Sequence, residues 1–190
     1  MTSIRHKAYL EAARECILDV GWKRTTLTDV ARRAGVSRMT IYRAWPDMAT
    51  LLADLMTQEW LVMLGAVQSS TDQVPTPRRI ADGMIAALGA LRQNPLLRRI
   101  IELDPELLLP YLVDRRGRSQ EAILDFLLPQ IIAGQEAGTI RGGDPVVLAR
   151  TLVLAAHGLA LSAQTMADGA ITEQDLSTTF AELITGGLTP

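Results

Sequence analysis

The stretch TTLTDVARRAGVSRMTIYRAWPD, Thr25 to Asp47, decides the fold. Thr26 followed three residues later by Asp29 has the spacing of a capping box, in which a side-chain oxygen at the helix entrance accepts an otherwise unpaired backbone N–H and the residue at the third position reaches back. Leu27, Val30 and Ala34 follow at helical steps, and Gly35 ends the helix because glycine enters the left-handed turn without steric cost. Val36 plugs the turn, and Ser37 is a fresh N-cap for a second short helix from Arg38 to Trp45. Two helices of roughly two turns each, joined by a tight glycine-containing turn, make a helix-turn-helix. In the second helix Ile41 and Trp45 point back to the core, which leaves Arg38, Met39, Thr40, Tyr42 and Arg43 outside. That face carries what duplex DNA requires: guanidinium groups for guanine edges or phosphates, a hydroxyl and a phenol for phosphates, and an apolar tip for a thymine methyl.

Upstream, Ile4, Ala8, Ala12, Cys16, Ile17 and Val20 recur at three- and four-residue steps, predicting a helix over 4–20 that Gly21 stops. Cys16 takes a core position there, as a small buried hydrophobe rather than a reactive thiol. The run from Thr25 to Asp47, with Ala12-Ala13, Gly21-Trp22 and Leu51, resembles the DNA-binding domain of TetR-type transcriptional regulators. Core spacing, both caps, Tyr42 and the Trp45-Pro46 ending occur together in it. The resemblance implies an all-α fold: an N-terminal three-helix helix-turn-helix DNA-binding domain at residues 1–47 and a helical effector-binding and dimerisation domain at 48–190. Ser37 to Arg43 then enters the major groove, with Arg38, Met39 and Thr40 nearest the bases. Ser37, Tyr42 and Arg43 fall on or near phosphates, helped by Thr26, Thr28 and the amino end of the first helix. Met39 stands where the family most often has Gly, so its base preference does not transfer. Met48 stands where it most often has a phosphate-contacting Lys, so one anchor is missing.

Composition agrees with this frame. A chain of 190 residues holds one domain, or a small one fused to a larger one. With 48% hydrophobic and 21% charged residues it reads as globular, not disordered or fibrous. One cysteine excludes an intramolecular disulfide, and two histidines, His6 and His157, cannot build a Cys/His zinc cluster. No metal or cofactor is expected, and the setting read from cysteine usage and from an N-terminus without a secretory apolar run is cytoplasmic. Residues 1–50 hold nine Lys/Arg against five Asp/Glu, a net of +4, which leaves −6 on the remainder of a chain whose formal charge is −2. A basic module on an acidic body suits a protein with one end on a polyanion; chance segregation on a solvated surface is the alternative.

Downstream, the pattern is helical throughout. Asp47 can cap a long helix in which Met48, Leu51, Leu52, Leu55, Met56, Trp60, Met63 and Val67 mark one face, and Ser69 to Pro77 reads as a loop. Ile80, Met84, Leu88 and Leu91 mark a fifth helix, Asn94-Pro95 restarts the chain to Leu103, and Asp104-Pro105 opens a short element limited by Pro110. Asp114 to Arg118 reads as a solvated turn. A seventh helix, Ser119 to Ala137, is apolar nearly all round and reads as central, with a bend at Pro129. Asp144 and Pro145 open an eighth helix reaching Met166, and a ninth runs from Thr172 to about Gly186. Arg150, Thr151 and His157 interrupt the apolar run of the eighth, which therefore reads as a helix between protein surfaces and not as a membrane span.

In the eighth helix Leu148, Leu152, Ala155, Ala156, Leu159 and Ala163 can face one way while Val147, Leu154 and Leu161 face another, which requires a second covering surface. The TetR-type architecture places the last two helices in a two-fold four-helix bundle, so a homodimer on an inverted-repeat double-stranded DNA site is expected, with Leu152, Ala155, Ala156, Leu159 and Ala163 at the interface. The candidates for a small-molecule effector pocket are Met56, Trp60, Met63, Met84, Leu88, Phe126 and Gln130, with His157 a weaker addition, because adaptable methionines and flat aromatics suit an apolar ligand. The same residues are also ordinary core filling, so a constitutive DNA-binding or protein-interaction dimer stands beside the ligand-released repressor. Enzymatic chemistry is not expected, since neither histidine neighbours a nucleophile-elbow sequence and no glycine-rich phosphate loop is present.

Overall fold

The computed structural model describes residues 2–67, 74–108, 114 and 116–190, without the side chains of 2, 3 and 63–67. Among these residues are nine α-helices: α1 Thr2–Val20, α2 Leu27–Arg33, α3 Arg38–Ala44, α4 Met48–Val67, α5 Pro77–Gln93, α6 Pro95–Leu103, α7 Arg118–Glu136, α8 Pro145–Met166 and α9 Glu173–Leu188. A 3-10 turn, Pro105–Leu107, follows α6. The expected Pro110 boundary lies outside the described residues, as do the side chains of Met63 and Val67. The helices form two compact units, residues 1–60 with 93–119, and 61–92 with 120–190. The functional boundary expected at Asp47 therefore runs inside the first unit.

The first unit is built on the caps read from sequence. Thr26 and Asp29 form a reciprocal capping box, and the Ser37 hydroxyl accepts the Thr40 N–H. Gly35 adopts φ +66°, and the Gly35 and Val36 N–H groups close on the carbonyls of Arg32 and Ala31, the bond pattern of a Schellman stop. Asp47 Oδ1 accepts the Thr50 N–H at 2.7 Å to open α4. The core joins Leu10, Ala13 and Ile17 of α1 to Leu27, Val30, Ile41, Trp45, Leu51, Leu55, Leu96 and Ile100. The inner face of α1 differs from the expected stripe, since Ile4, Ala8 and Val20 are exposed. Steps of four residues drift about 40° each around a helix, so Ile4 and Ala8 leave the face on which Ala12, Cys16 and Ile17 are buried as expected, and Leu10 and Ala13 join them there.

In the second unit Ile80, Ala81, Leu127, Ile131, Ile140, Ala149, Leu152, Val153, Ala181, Ile184 and Leu188 make the core. Helix α7 is not buried all round. Leu127, Ile131 and Gly134 face inward while Ile132 is exposed, because its apolar residues outnumber the neighbours that cover it within the chain. Helix α9 runs past the expected Gly186 stop to Leu188. Leu188 is buried, and Arg141 supplies donors to the terminal carbonyls, its N–H to Leu188 at 2.8 Å and its Nε to Gly187 at 2.6 Å. Arg118, read as part of a solvated turn, instead begins α7 and forms an ion pair with Asp54. Gly134 packs so closely that an added Cβ would lie 2.3 Å from Ile140 Cδ1 and 2.7 Å from its Cγ1. Gly134→Ala is accordingly expected to cost about 1–3 kcal/mol by overpacking, seen in urea unfolding as a lower midpoint with an unchanged slope.

Candidate nucleic-acid interface and effector site

Helix α3 is held from beneath by fully buried Ile41 and Trp45 and presents its remaining residues outward. Arg38, Met39, Tyr42 and Arg43 are exposed and Thr40 is half-buried, the side expected from sequence. The hydroxyls are partly engaged. Ser37 Oγ and Thr40 Oγ1 lie 2.9 Å apart, and Thr26 Oγ1 donates to Asp29 Oδ2 at 2.5 Å. The Thr26 hydroxyl, with the Thr26 N–H and the Arg32 guanidinium, holds the Asp29 carboxyl below the usual carboxylate range and keeps it charged at the entrance of α2.

The basic residues sort by whether an acid already holds them. Arg32 pairs with Asp29 at 2.7 Å, Arg33 with Asp19 at 2.5 Å, Arg14 with Glu59 at 3.1 Å and Lys23 with Glu106 at 2.5 Å. Among the described residues of 1–50, Arg5, Lys7, Arg24, Arg38 and Arg43 have no such partner, Arg24 turning its Nε to the Val20 carbonyl at 2.8 Å; beyond residue 50 the same holds for Arg99, Arg141 and Arg150. Four of the five in residues 1–50 lie on α3 or at the start of α1, the elements expected to meet DNA, where they are open to phosphate. Sequence reasoning missed how Arg14 and Lys23 are engaged, because their partners Glu59 and Glu106 are remote in the chain.

The effector candidates fall in two groups. On α4 of the first unit Met56 and Trp60 are half-buried, and Met56 packs against the core there. In the second unit Leu88 is buried, Met84 packs against the core of that unit, Phe126 is half-buried, and Gln130 Nε2 donates to the Phe126 carbonyl at 3.1 Å. His157 is half-buried, and loss of solvent pushes its imidazole below the usual value, so the ring is neutral at neutral pH.

The interface set divides. Leu152 and Ala163 belong to the core of their own unit and Ala156 and Leu159 are half-buried, leaving Ala155 exposed. The exposed apolar residues are the opposite set, Val147 at 59%, Leu154 at 71% and Leu161 at 39%, joined on α9 by Leu183 at 68%. Helical spacing defines two apolar faces of α8 without stating which one its own chain covers, and the inner core takes the Leu152 side.

The profile of the family described as bacterial regulatory proteins, tetR family, matches residues 10–55. An uncharacterized HTH-type transcriptional regulator of Mycobacterium bovis is 31% identical over 179 residues, covering 94% of this chain and 92% of that protein. The chain belongs to the TetR family. It is a DNA-binding transcriptional regulator with a helix-turn-helix amino-terminal segment. Two solved structures share the fold of this TetR-family chain at low identity. FadR from Bacillus subtilis in complex with stearoyl-CoA has a TM-score of 0.65 at 18% identity, covering 96% of this chain and 98% of that one. A SmeT–triclosan complex has a TM-score of 0.65 at 19% identity, covering 98% and 92%.

For a TetR-family regulator with α3 in the groove, Arg38→Ala is expected to cost roughly 1–3 kcal/mol on a selected duplex and much less on random sequence. Tyr42→Phe should weaken binding to both alike, as loss of a phosphate contact does. Equal losses on both duplexes for Arg38→Ala, measured by fluorescence anisotropy, would move Arg38 from the bases to the phosphates.

Proposed function

We propose that the protein is a two-fold homodimeric repressor that binds an inverted-repeat operator through Ser37–Arg43 and is released by a small, largely apolar effector. Residues 1–47 read the DNA and residues 48–190 dimerise and take the effector, in the cytoplasm where the DNA is. The observation that carries the dimer is the outer face of α8 and α9. Val147, Leu154, Leu161 and Leu183 are left in water by the single chain, and an apolar face of this kind on two long adjacent helices calls for a covering surface. A second copy supplies an identical face under two-fold symmetry, the commonest closed arrangement. By length and composition α8 could also cross a bilayer, but its inner residues Ala149, Leu152, Val153 and Ala163 are committed to the core.

The effector reading rests on Met56 and Trp60 of α4 together with Met63, Met84, Leu88, Phe126, Gln130 and His157, flexible and aromatic side chains with few polar groups among them. Structural neighbours of the same fold, one in complex with triclosan and one with stearoyl-CoA, support a ligand with a large apolar part. Helix α4 starts at Met48, directly after the recognition helix, and continues through Met56 and Trp60, so a ligand against those residues acts on the element that carries α3. By linkage such a ligand binds the DNA-free protein more tightly by the same factor by which it weakens DNA binding. The test is a metabolite and drug screen that follows Trp fluorescence and operator affinity together, repeated with Trp60→Ala. Release of DNA by a compound that fails on Trp60→Ala is the expected result; operator binding unmoved by any compound that binds would replace effector control with a constitutive DNA-binding dimer.

A further inference from the structure

Asp54 on α4 collects side chains from three other helices or their ends. Its Oδ2 accepts the Trp45 Nε1–H at 2.9 Å, and His6 Nε2 lies 3.7 Å from the same oxygen. The His6 ring sits against the Trp45 ring with centroids 4.4 Å apart. The other carboxylate oxygen, Oδ1, is ion-paired with Arg118 Nη1. Trp45 is the C-cap residue of the recognition helix, its backbone N–H donating to the Ile41 carbonyl. Arg118 is the first residue of α7, a helix that continues as Gln120 to Glu136 in the second compact unit.

We propose that Asp54 is a positioning residue for DNA recognition and that Arg118 fixes its aim. The terminal torsion of an aspartate is broad, so an unheld carboxylate can turn either oxygen away. With Oδ1 held by the guanidinium, Oδ2 is delivered to the indole N–H, and the exit of α3 is fixed against α4. Released from Arg118, the carboxylate turns, the indole loses its only fixed polar partner, and the angle of α3 in the groove becomes variable. The Arg118 side chain is 63% exposed, so the pair adds little to folding stability and its effect falls on aim. The inference depends on the DNA-binding role and not on the effector reading.

The experiment uses full-length protein, a duplex recovered from a random pool and a scrambled duplex of equal length. Arg118→Gln, Asp54→Asn and the double variant are compared with Arg98→Gln, which removes an equally exposed cation on α6, paired at 3.9 Å with Glu102. The expected result is a roughly five- to tenfold fall in the selected-to-scrambled affinity ratio for Arg118→Gln, about the same for Asp54→Asn, and no further fall in the double variant, because the two act as one unit. Arg98→Gln should leave the ratio unchanged, Arg118→Lys should keep most of it, and the melting temperature of Arg118→Gln should match the native protein. An unchanged ratio in Arg118→Gln, or losses in the double variant that add, would overturn the proposal; Arg118→Gln alone decides it if Asp54→Asn does not fold.

Discussion

Leu154→Glu is expected to give a folded monomer that has lost tight operator binding. Leu154 is 71% exposed in the single chain, so a carboxylate there remains hydrated and folding stability should move by no more than about 0.5 kcal/mol. In the proposed two-fold dimer the same position would lie on the covered outer face of α8, where each interface would bury two like charges without partners. Desolvating an ion costs several kcal/mol even after relaxation, enough to shift a dimer constant by about a thousandfold or more. Each half-site is then held by one chain, and loss of the second, tethered contact should cut operator affinity by about a hundredfold or more. Sedimentation velocity and operator titration on one sample read both effects. A Leu154→Glu protein that stays dimeric at micromolar concentration places the interface elsewhere.

Trp45→Ala is expected to cost about 3–5 kcal/mol, the range for truncating a fully buried aromatic side chain. The ring is 0% exposed and packs in the first core with Ile41, Leu51 and Leu55. Its loss also strips the indole donor from Asp54 and the ring that supports His6. Domains of this size are stable by only about 5–15 kcal/mol, so helical signal and DNA binding should fall together well below the native melting temperature. Trp45→Phe keeps most of the bulk and should cost about 1 kcal/mol from the missing hydrogen bond. Thermal unfolding followed by far-ultraviolet dichroism compares the two; a Trp45→Ala protein that melts with the native one would mean that α3 is not anchored through this ring.

The helix-turn-helix was legible because its instructions are local. Thr26, Asp29, Gly35 and Ser37 each act on backbone groups within a few residues, and the spacing of Val30, Ile41 and Trp45 marks the side that packs. The faces of long helices were less legible. In α1 the apolar residues define a drifting stripe, and in α8 they define two faces of similar strength, so only packing shows that Leu152 and Ala163 turn inward while Leu154 turns out. The end of α9 was misjudged because Gly186 and Gly187 look like a stop until Arg141, 46 residues away from Gly187, is seen to satisfy the last carbonyls. Residues that tie distant segments were not legible at all. Asp104 reads as the opening of a short element, yet it is 2% exposed and accepts the Trp22 N–H at 3.2 Å across 82 residues. Asp54 likewise looks like a solvated position on α4 until Trp45 and Arg118 are seen to meet on it.

Whether α3 reads DNA as one of a two-fold pair is decided by selecting duplexes from a random pool with the full-length protein and counting chains per bound duplex. The expected result is an inverted repeat, two half-sites about one helical turn apart or a multiple of it, occupied by two chains. A pool that shows no preferred sequence, or a single unrepeated site held by one chain, would contradict it.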